Sequence, residues 1–289
     1  MTSLSIRTIH DVAGFAAVAD YFSDVWNTPR SAPPLLPETL NSLAHAGGAV
    51  HAAYDGTRLV GASVAVFGPP ESRQTYSLLT AAERGLGYQV KQAQRAWALE
   101  HGARTMRWTF DPLVGRNARF NLVKLGAEGT DYLVDFYGPM ADGVNDGDES
   151  DRLAVTWDLT ASSSRPYGQP GEPDEKDAPD APDALDALDA LDAPDAPDAP
   201  GGAADRHAAP TTHTAPDGAP LARRDLGDRA LWCRVPDDVV ALRAADPELA
   251  LRWRRAVREV FTKAFADGFT ATGMSRDGWY TLTRPEATP

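Results

Sequence analysis

The spacing of apolar residues changes several times along the first half of the chain, and each change predicts a new element. Residues 4–9 alternate as a strand does, and Asp11 can cap the helix that follows. The apolar residues of that helix recur at helical spacing and comprise Val12, Phe15, Ala16, Ala19 and Phe22. Pro37 then begins a second short helix, which Gly47 ends. A strand and two amphipathic helices are therefore expected first.

The next apolar runs predict three antiparallel strands, after which helices and strands alternate. Asp55-Gly56 suits a tight hairpin turn between two of these runs. The strands predicted after the first two helices cover residues 49–54, 58–67, 74–80, 105–110 and 132–137. Helices are predicted between the last three of these strands, one ending at Gly102 and one covering about 116–124.

A second apolar part predicts a small α+β unit. Residues 153–159 and 231–235 look like strands, and Asp246-Pro247 begins an amphipathic helix. Asp277-Gly278 then marks a hairpin turn. Cys233, the only cysteine, is expected to be a buried strand residue, and it excludes an internal disulfide.

The segment between the two apolar parts has no core period. From Asp174 to Asp198 an aspartate falls at every third position, with alanine and proline or leucine between. A period of three fits an extended chain with its carboxylates along one solvated edge. Residues 161–230 are therefore predicted to be a disordered linker or insertion, and a tract that binds a basic partner is the alternative.

Most of the negative charge lies in this segment. The chain of 289 residues has a net charge of -13, and residues 171–200 hold eleven acidic residues against Lys176. The rest is close to neutral, so no broad basic face for nucleic acid is expected. The first 25 residues do not resemble a signal peptide, and no apolar run is long enough to cross a membrane. A cytoplasmic protein without a membrane partner is expected, and the scattered histidines predict no metal site.

A glycine loop carries the clearest chemical signal. It reads Ala82-Glu83-Arg84-Gly85-Leu86-Gly87 and leads from a strand into a helix. The N–H groups at a helix start point outward, and Gly85 and Gly87 would let the backbone approach a pyrophosphate. Lys91, one turn into the helix, could reach a further phosphate. An ordinary turn and a solvated lysine are the alternatives.

The order of elements over residues 1–137 resembles the GNAT N-acetyltransferase fold. That fold belongs to the α/β (α+β) class and has a mixed, mostly antiparallel sheet flanked by helices. The loop resembles the acyl-CoA signature of the family, Q/R-x-x-G-x-G/A, with Ala82 at the first position and both glycines present. The resemblance implies that acetyl-CoA, or another acyl-CoA, binds to backbone N–H groups of the loop and helix start. These residues are Glu83, Arg84, Gly85, Leu86, Gly87 and Tyr88.

Residues 107–138 resemble one bacterial branch of predicted GNAT acetyltransferases. The markers include Arg116-Asn117-Ala118 and Leu125-Gly126-Ala127. Residues 145–157 and 231–282 resemble the C-terminal half of that branch. The resemblance implies an acyl-CoA-binding domain over 1–140 and a C-terminal β-α-β-β extension over 141–160 and 231–284, with 161–230 as an insertion.

The resemblance also implies direct transfer of the acyl group to an amine within a ternary complex. Such a reaction needs a base for the ammonium proton and an acid for the departing thiolate. Leu122 stands where many members have a tyrosine acid, so Tyr132, Tyr137 or a water would act instead. Asp111 is the candidate base or ammonium contact, with a turn cap as its alternative. Asn117 would either bind the pantetheine arm or cap its helix.

The function expected from these features is N-acyl transfer to a small-molecule amine or a peptide, with a homodimer left open. The alternative is a degenerate domain that binds acyl-CoA as a sensor or scaffold. Ala82 and Leu122 favour the alternative, whereas the two glycines of the loop favour the enzyme.

Overall fold

The computed structural model describes residues 4–138, 148–161, 211–225 and 229–284, which form two compact units. Unit 1 contains the described residues up to 107 together with 158–161, and unit 2 contains the others. The compact units divide at residue 107, because Trp108 lies against Trp157 and its indole N–H donates to Asn121, both in unit 2. The domain bounds expected from the sequence, with a boundary near residue 140, stay a prediction.

Unit 1 is a mostly antiparallel sheet with helices on both faces. Its strands are β1 (Leu4–Thr8), β2 (Ala49–Asp55), β3 (Arg58–Phe67), β4 (Gln74–Ala82) and the first half of β5 (Thr105–Phe110). Its helices are α1 (Val12–Val25), α2 (Pro37–His45) and α3 (Gly87–Glu100). The strands lie in chain order, and only the β4–β5 pair is parallel. The predicted class and the order of these elements are confirmed.

Local signals in the sequence account for the ends of these elements. The Asp11 carboxylate accepts a hydrogen bond from Gly14 N at 2.8 Å and so caps α1. Gly56 has a φ of 63° in the hairpin turn between β2 and β3. One predicted core position is wrong, because Val12 at the first position of α1 is 73% exposed.

The two faces of the unit 1 sheet carry different layers. Phe15, Phe22 and Leu40 of α1 and α2 pack against one face in a continuous apolar cluster. On the other face, Val90 of α3 packs against Val60 of β3 in a smaller cluster near the glycine loop. This second face therefore fixes the helix that follows the loop.

Residues 158–161 return to unit 1 and are fastened there. Leu159 is fully buried, and its N–H donates to the Arg104 carbonyl at 2.9 Å. The Arg95 guanidinium donates to the Leu159 carbonyl at 2.9 and 2.6 Å. The chain therefore completes unit 1 only after it has passed through part of unit 2.

Unit 2 is an antiparallel sheet with one long helix packed on it. Its remaining strands are β6 (Glu128–Leu133), β7 (Arg152–Asp158), β8 (Thr211–Thr214), β9 (Pro220–Arg224), β10 (Ala230–Arg234), β11 (Thr270–Met274) and β12 (Trp279–Thr283). The described order is β7-β6-β11-β12-β10-β9-β8. Its helices are α4 (Gly115–Ala118), which continues as a π-helical turn over Arg119–Lys124, α5 (Val239–Ala245) and α6 (Pro247–Ala266).

The predicted strand, helix and hairpin at the end of the chain are confirmed, and the structure adds three elements. Asp246 caps α6. The buried side chains of this helix include Trp253, Val257 and Phe261. Cys233 is fully buried in β10, as expected. Helix α5 and the hairpin β8–β9 were not predicted.

The hairpin corrects the predicted linker, because residues 211–225 are ordered strands and a turn. Strand β9 pairs with β10, which buries Leu221 and Ala222. The aspartate repeat and the rest of the predicted linker up to residue 210 lie outside the described residues, as do residues 139–147.

Candidate functional site

In unit 1, β4 and β5 stay together for only a short stretch. They pair in parallel at Gln74–Thr105, Thr75–Met106 and Tyr76–Arg107. In the described residues of unit 1, no pairing with β5 continues beyond Tyr76, although β4 runs on to Ala82. Strand β4 also carries a bulge at Leu78, where its register with β3 shifts. A strand edge of this kind offers backbone donors and acceptors to a ligand.

The glycine loop follows directly from this part of β4. Gly85 has a φ of 82°, a conformation that side chains with a Cβ rarely adopt. Helix α3 begins at Gly87. Its N-cap residue, Leu86, makes no side-chain capping hydrogen bond. The N–H groups at the start of α3 thus have no capping side chain, which is the arrangement that favours anion binding at a helix start.

Two of the six predicted backbone donors are already engaged within the protein. Glu83 N donates to the Val60 carbonyl at 2.8 Å, and Leu86 N donates to the Glu83 carbonyl at 3.0 Å. These two bonds hold the loop against β3 and shape its turn. A phosphate would therefore be bound by the other predicted residues, Arg84, Gly85, Gly87 and Tyr88.

The loop carries an acidic side chain that is neutralised by a neighbour. The two terminal guanidinium nitrogens of Arg58 donate to the Glu83 carboxylate, one of them at 3.0 Å. Both side chains are largely exposed. The ion pair reduces the negative potential that Glu83 would otherwise add beside an anion.

Lys91 does not extend into solvent. Its side chain is 3% exposed, and its ammonium nitrogen donates to Ser77 Oγ at 2.9 Å and to Gln94 Oε1 at 3.3 Å. Burial lowers the pKa of Lys91 to about 7. A solvated lysine was the sequence alternative, and it is wrong, because the helix turns this side chain towards the sheet.

In unit 2, Asp111 lies just after β5, and its carboxylate is held by two arginines. It pairs with Arg254 at 3.0 Å and also with Arg243, and it accepts Leu113 N at 2.9 Å. Burial alone would raise its pKa, but the two guanidinium groups outweigh burial and hold the pKa far below its ordinary value. A carboxylate so strongly stabilised as an anion is a weak proton acceptor. The alternative of a turn cap agrees with the bond from Leu113.

Tyr132 is also tied into unit 2. Its hydroxyl donates to Asp151 Oδ2 at 2.7 Å, and that carboxylate also accepts from Arg258. Burial, with the negative charge of Asp151, raises the pKa of Tyr132 well above its ordinary value. Its proton is therefore directed into the protein and is hard to release.

Tyr137 lies in a turn, which corrects its predicted position on a strand. Strand β6 ends at Leu133, and Asp135 adopts a φ of 44° in the turn that follows. The side chain of Tyr137 is 53% exposed, while its backbone N–H donates to Ser150 Oγ at 2.9 Å. The strand pattern in the sequence continued too far because Val134 and Phe136, both apolar, are exposed in the turn.

Asn117 is the unit 2 candidate with an open polar atom. It is buried in α4, and its side-chain oxygen has no hydrogen-bond partner among the described residues. A buried acceptor without a partner is costly, so such an atom points to a ligand or water. The predicted contact with a pantetheine amide would use this oxygen.

Unit 2 also contains a buried ionic cluster that was not predicted from the sequence. Asp148 accepts hydrogen bonds from Arg243 and Arg254, each at 2.7 Å, next to their bonds with Asp111. Arg258, one turn further along α6, pairs with Asp151 at 2.7 Å. The spacing of Arg254 and Arg258 in a helix that also buries apolar residues was the available signal.

The described residues contain neither a candidate membrane span nor a candidate metal cluster. None of the helices there combines the length and the apolar character that a membrane span requires. The same residues contain no group of three or more histidine, cysteine, aspartate or glutamate side chains that could hold a metal ion.

No protein-family model and no curated protein gives a significant match to the sequence. Solved structures do show similarity. An N-acetyltransferase from Staphylococcus aureus Mu50 is 14% identical with a TM-score of 0.44, over 54% of this chain and 99% of that one. A protein from Salmonella typhimurium, solved with its cofactor acetyl-CoA, is 16% identical with a TM-score of 0.44, over 56% and 96%. A GNAT-family acetyltransferase from Streptococcus pneumoniae is 14% identical with a TM-score of 0.41, over 53% and 98%.

Each of these likenesses spans little more than half of this chain. At such identity the site has to be argued from the residues of the chain itself. The resemblance to the bacterial branch with its own C-terminal half stays a prediction.

Proposed function

We propose that this chain binds an acyl-CoA, with acetyl-CoA as the first candidate, and transfers the acyl group to an amine. The observation that supports this most is the continuous path along β4. Its parallel pairing with β5 stops at Tyr76, the strand then bulges, and it ends in a glycine loop at an uncapped helix start. One strand therefore supplies both a free backbone edge and an anion site.

The proposed contacts leave out the N–H groups of Glu83 and Leu86, which donate within the protein. The pyrophosphate would accept from the backbone of Arg84, Gly85, Gly87 and Tyr88, while Glu83 and Leu86 shape the loop. The amides of a pantetheine arm would pair with β4 beyond Tyr76. Asn117, in unit 2, stays a predicted contact for the pantetheine arm, and its side-chain oxygen has no hydrogen-bond partner among the described residues.

Proton transfer has fewer candidates than the sequence suggests. When bound, acetyl-CoA supplies a thioester that a neutral amine can attack directly. The amine must lose a proton, and the thiolate must gain one. Asp111 and Tyr132 are both held in ionic contacts. We therefore assign the proton steps to water or to the exposed Tyr137.

A matched pair of glycine variants tests the cofactor site. Gly85 and Gly102 both have positive φ, at 82° and 85°, and they lie near opposite ends of α3. Gly85→Glu and Gly102→Glu thus carry a similar backbone cost and the same added charge, but only the first lies at the proposed phosphate site. We expect acetyl-CoA binding, measured by calorimetry, to be lost in Gly85→Glu and kept in Gly102→Glu. Equal binding by both variants would refute the loop as the site.

A second function, binding of acyl-CoA without catalysis, is favoured because the predicted base and one predicted acid are held in contacts within the protein. Because Asp111 and Tyr132 are both committed to ion pairs or hydrogen bonds, the chain could bind acyl-CoA as a sensor without catalysis. The two functions differ in thiol release. Acceptor-dependent release of CoA thiol, across a panel of amino acids, polyamines and peptide amines, would identify the enzyme. Binding without such release would favour the sensor.

A further inference from the structure

A buried polar layer lies beneath α3, next to the proposed site. His51, Ser63 and Thr80 are direct cross-strand neighbours on β2, β3 and β4, so they share one face of the sheet. Lys91 and Gln94 of α3 meet this face through Ser77. The cluster nearer the loop is apolar instead, with Val90 against Ala82. The polar layer therefore begins one turn into the helix.

Lys91 fastens α3 to β4 at a particular place. Ser77, which accepts from its ammonium, is the first residue of β4 beyond the stretch paired with β5. The Ser77 hydroxyl also lies 3.1 Å from Thr80 Oγ1, across the bulge. The position of the helix start is thus linked to the shape of the strand edge that the proposed function uses.

One hydrogen-bond donor in this layer has no acceptor among the described residues. Gln94 is fully buried, and its side-chain nitrogen has no hydrogen-bond partner among the described residues. An apolar side chain at position 91 would fill the same space without placing an amine among buried groups. A buried lysine beside a buried amide donor that has no partner among the described residues points to a role in binding.

We propose that Lys91 is a positioning residue of the acyl-CoA site. Its side chain holds α3 against β4, and its amine takes up a proton from solvent when a phosphate-bearing ligand binds at the start of α3. This role rests on the proposed function, because it needs an anion at that helix start.

Electrostatics gives the direction of the effect. Lys91 lies one helical turn, about 6 Å along the axis, from Gly87. Burial lowers its pKa to about 7, so a large fraction is neutral just above that pH. An anion nearby stabilises the charged form and raises the pKa. Affinity for the anion should therefore be highest below pH 7 and should weaken as the pH rises through 7.

Among the described residues, the groups that the sheet presents around Lys91 are a neutral imidazole and three hydroxyls. Burial lowers the pKa of His51 to about 4, so the imidazole is neutral. Strands β3 and β4 present the hydroxyls of Ser63, Ser77 and Thr80. On α3, Gln94 is uncharged, and the Arg95 guanidinium donates to the Leu159 carbonyl. A phosphate monoester of the ligand itself titrates at about pH 6, so the part of the proton linkage that belongs to Lys91 is the part that Lys91→Met removes.

The small number of lysines makes a direct test practical. The chain has four of them, Lys91, Lys124, Lys176 and Lys263. Their ε-methylene signals can be followed by NMR over pH in the full-length protein, with Lys91→Met used for assignment. We expect the Lys91 signal to titrate near neutrality, and we expect saturating acetyl-CoA to move that transition upward and to leave the signals of the other lysines unchanged. A Lys91 that titrates with the others, or that ignores bound acetyl-CoA, would overturn the proposal.

Calorimetry gives an independent measure on variants. Acetyl-CoA is titrated near pH 8 in two buffers of different ionisation enthalpy, which reports the protons taken up. Wild type and the control Lys263→Met, whose side chain is 63% exposed on α6, should take up more protons than Lys91→Met. Equal uptake by all three proteins overturns the role of Lys91 while the proposed function stands. No binding by the folded wild type overturns both.

Discussion

Replacing Arg254 with methionine removes the centre of the buried ionic cluster in unit 2. The side chain is 1% exposed, and it donates to Asp148 at 2.7 Å and to Asp111 at 3.0 Å. Removing one partner of a buried ion pair costs about 3–5 kcal/mol, since the other charge stays buried. Both aspartates keep Arg243 as a partner. We therefore expect a loss near the lower end, about 3 kcal/mol in the free energy of unfolding.

The matched control is Arg255→Met on the same helix. Its guanidinium pairs with Glu149 at 2.7 Å, but its side chain is 60% exposed. Exposed ion pairs contribute about 0–1 kcal/mol, because water screens them. The two variants thus remove the same group from neighbouring positions and differ in burial.

Urea unfolding followed by tryptophan fluorescence suits this comparison. Five of the seven tryptophans belong to unit 2, namely Trp108, Trp157, Trp232, Trp253 and Trp279. A midpoint for Arg254→Met as high as that for Arg255→Met, at an unchanged slope, would refute the reasoning. It would show that repacking around methionine offsets the lost charge.

The remaining predictions concern pH, single hydrogen bonds and the loop. Arginine partners hold the pKa of Asp111 below its ordinary value, so its contribution to stability is present above about pH 4 and is lost as the pH falls; acid titration followed by circular dichroism should show the wild type losing more stability than Arg254→Met. Tyr280→Phe removes the buried 2.8 Å bond to the Pro112 carbonyl and should cost about 1–3 kcal/mol by urea unfolding; a variant as stable as the wild type would contradict it. Tyr132→Phe should lower stability and leave any acyl transfer within a few-fold, and a transfer rate lowered by orders of magnitude would restore Tyr132 as the acid. Glu83→Gln should tighten acetyl-CoA binding a few-fold in low salt by removing a negative charge from the loop, and unchanged affinity would count against an anion there.

Much of the secondary structure follows from short-range signals. The caps at Asp11 and Asp246 and the turn at Gly56 each depend on side-chain and backbone chemistry within a few residues. Such signals are complete in the sequence itself. The strands that were missed are of another kind, because β8 and β9 are short and are held by pairing between strands, β9 with β10 and β8 with β9.

In the candidate site, too, local features could be predicted from the sequence, whereas contacts between distant residues could not. The position of the glycine loop and the need for glycine at position 85 could be predicted, because both are local. The direction of Lys91 could not, since its partner Ser77 belongs to a different element. The arginines that hold Asp111 lie 132 and 143 residues away in the chain. A spacing rule cannot find partners at that distance, so the predicted base looked open when it is paired.

The return of residues 158–161 to unit 1 has a consequence for how the protein is made. On the ribosome, β1 to β4 and α3 are complete long before Leu159 appears. Until residues 108–157 have been synthesised, Arg95 lacks the carbonyl that it holds in the finished protein, and the site of a fully buried leucine stays empty. Unit 1 therefore cannot reach its final state as an early, independent folding event. Two stalled nascent chains can be compared, one that ends before residue 158 and one long enough for residue 161 to have left the exit tunnel. The shorter chain should be cut more readily by protease in α3.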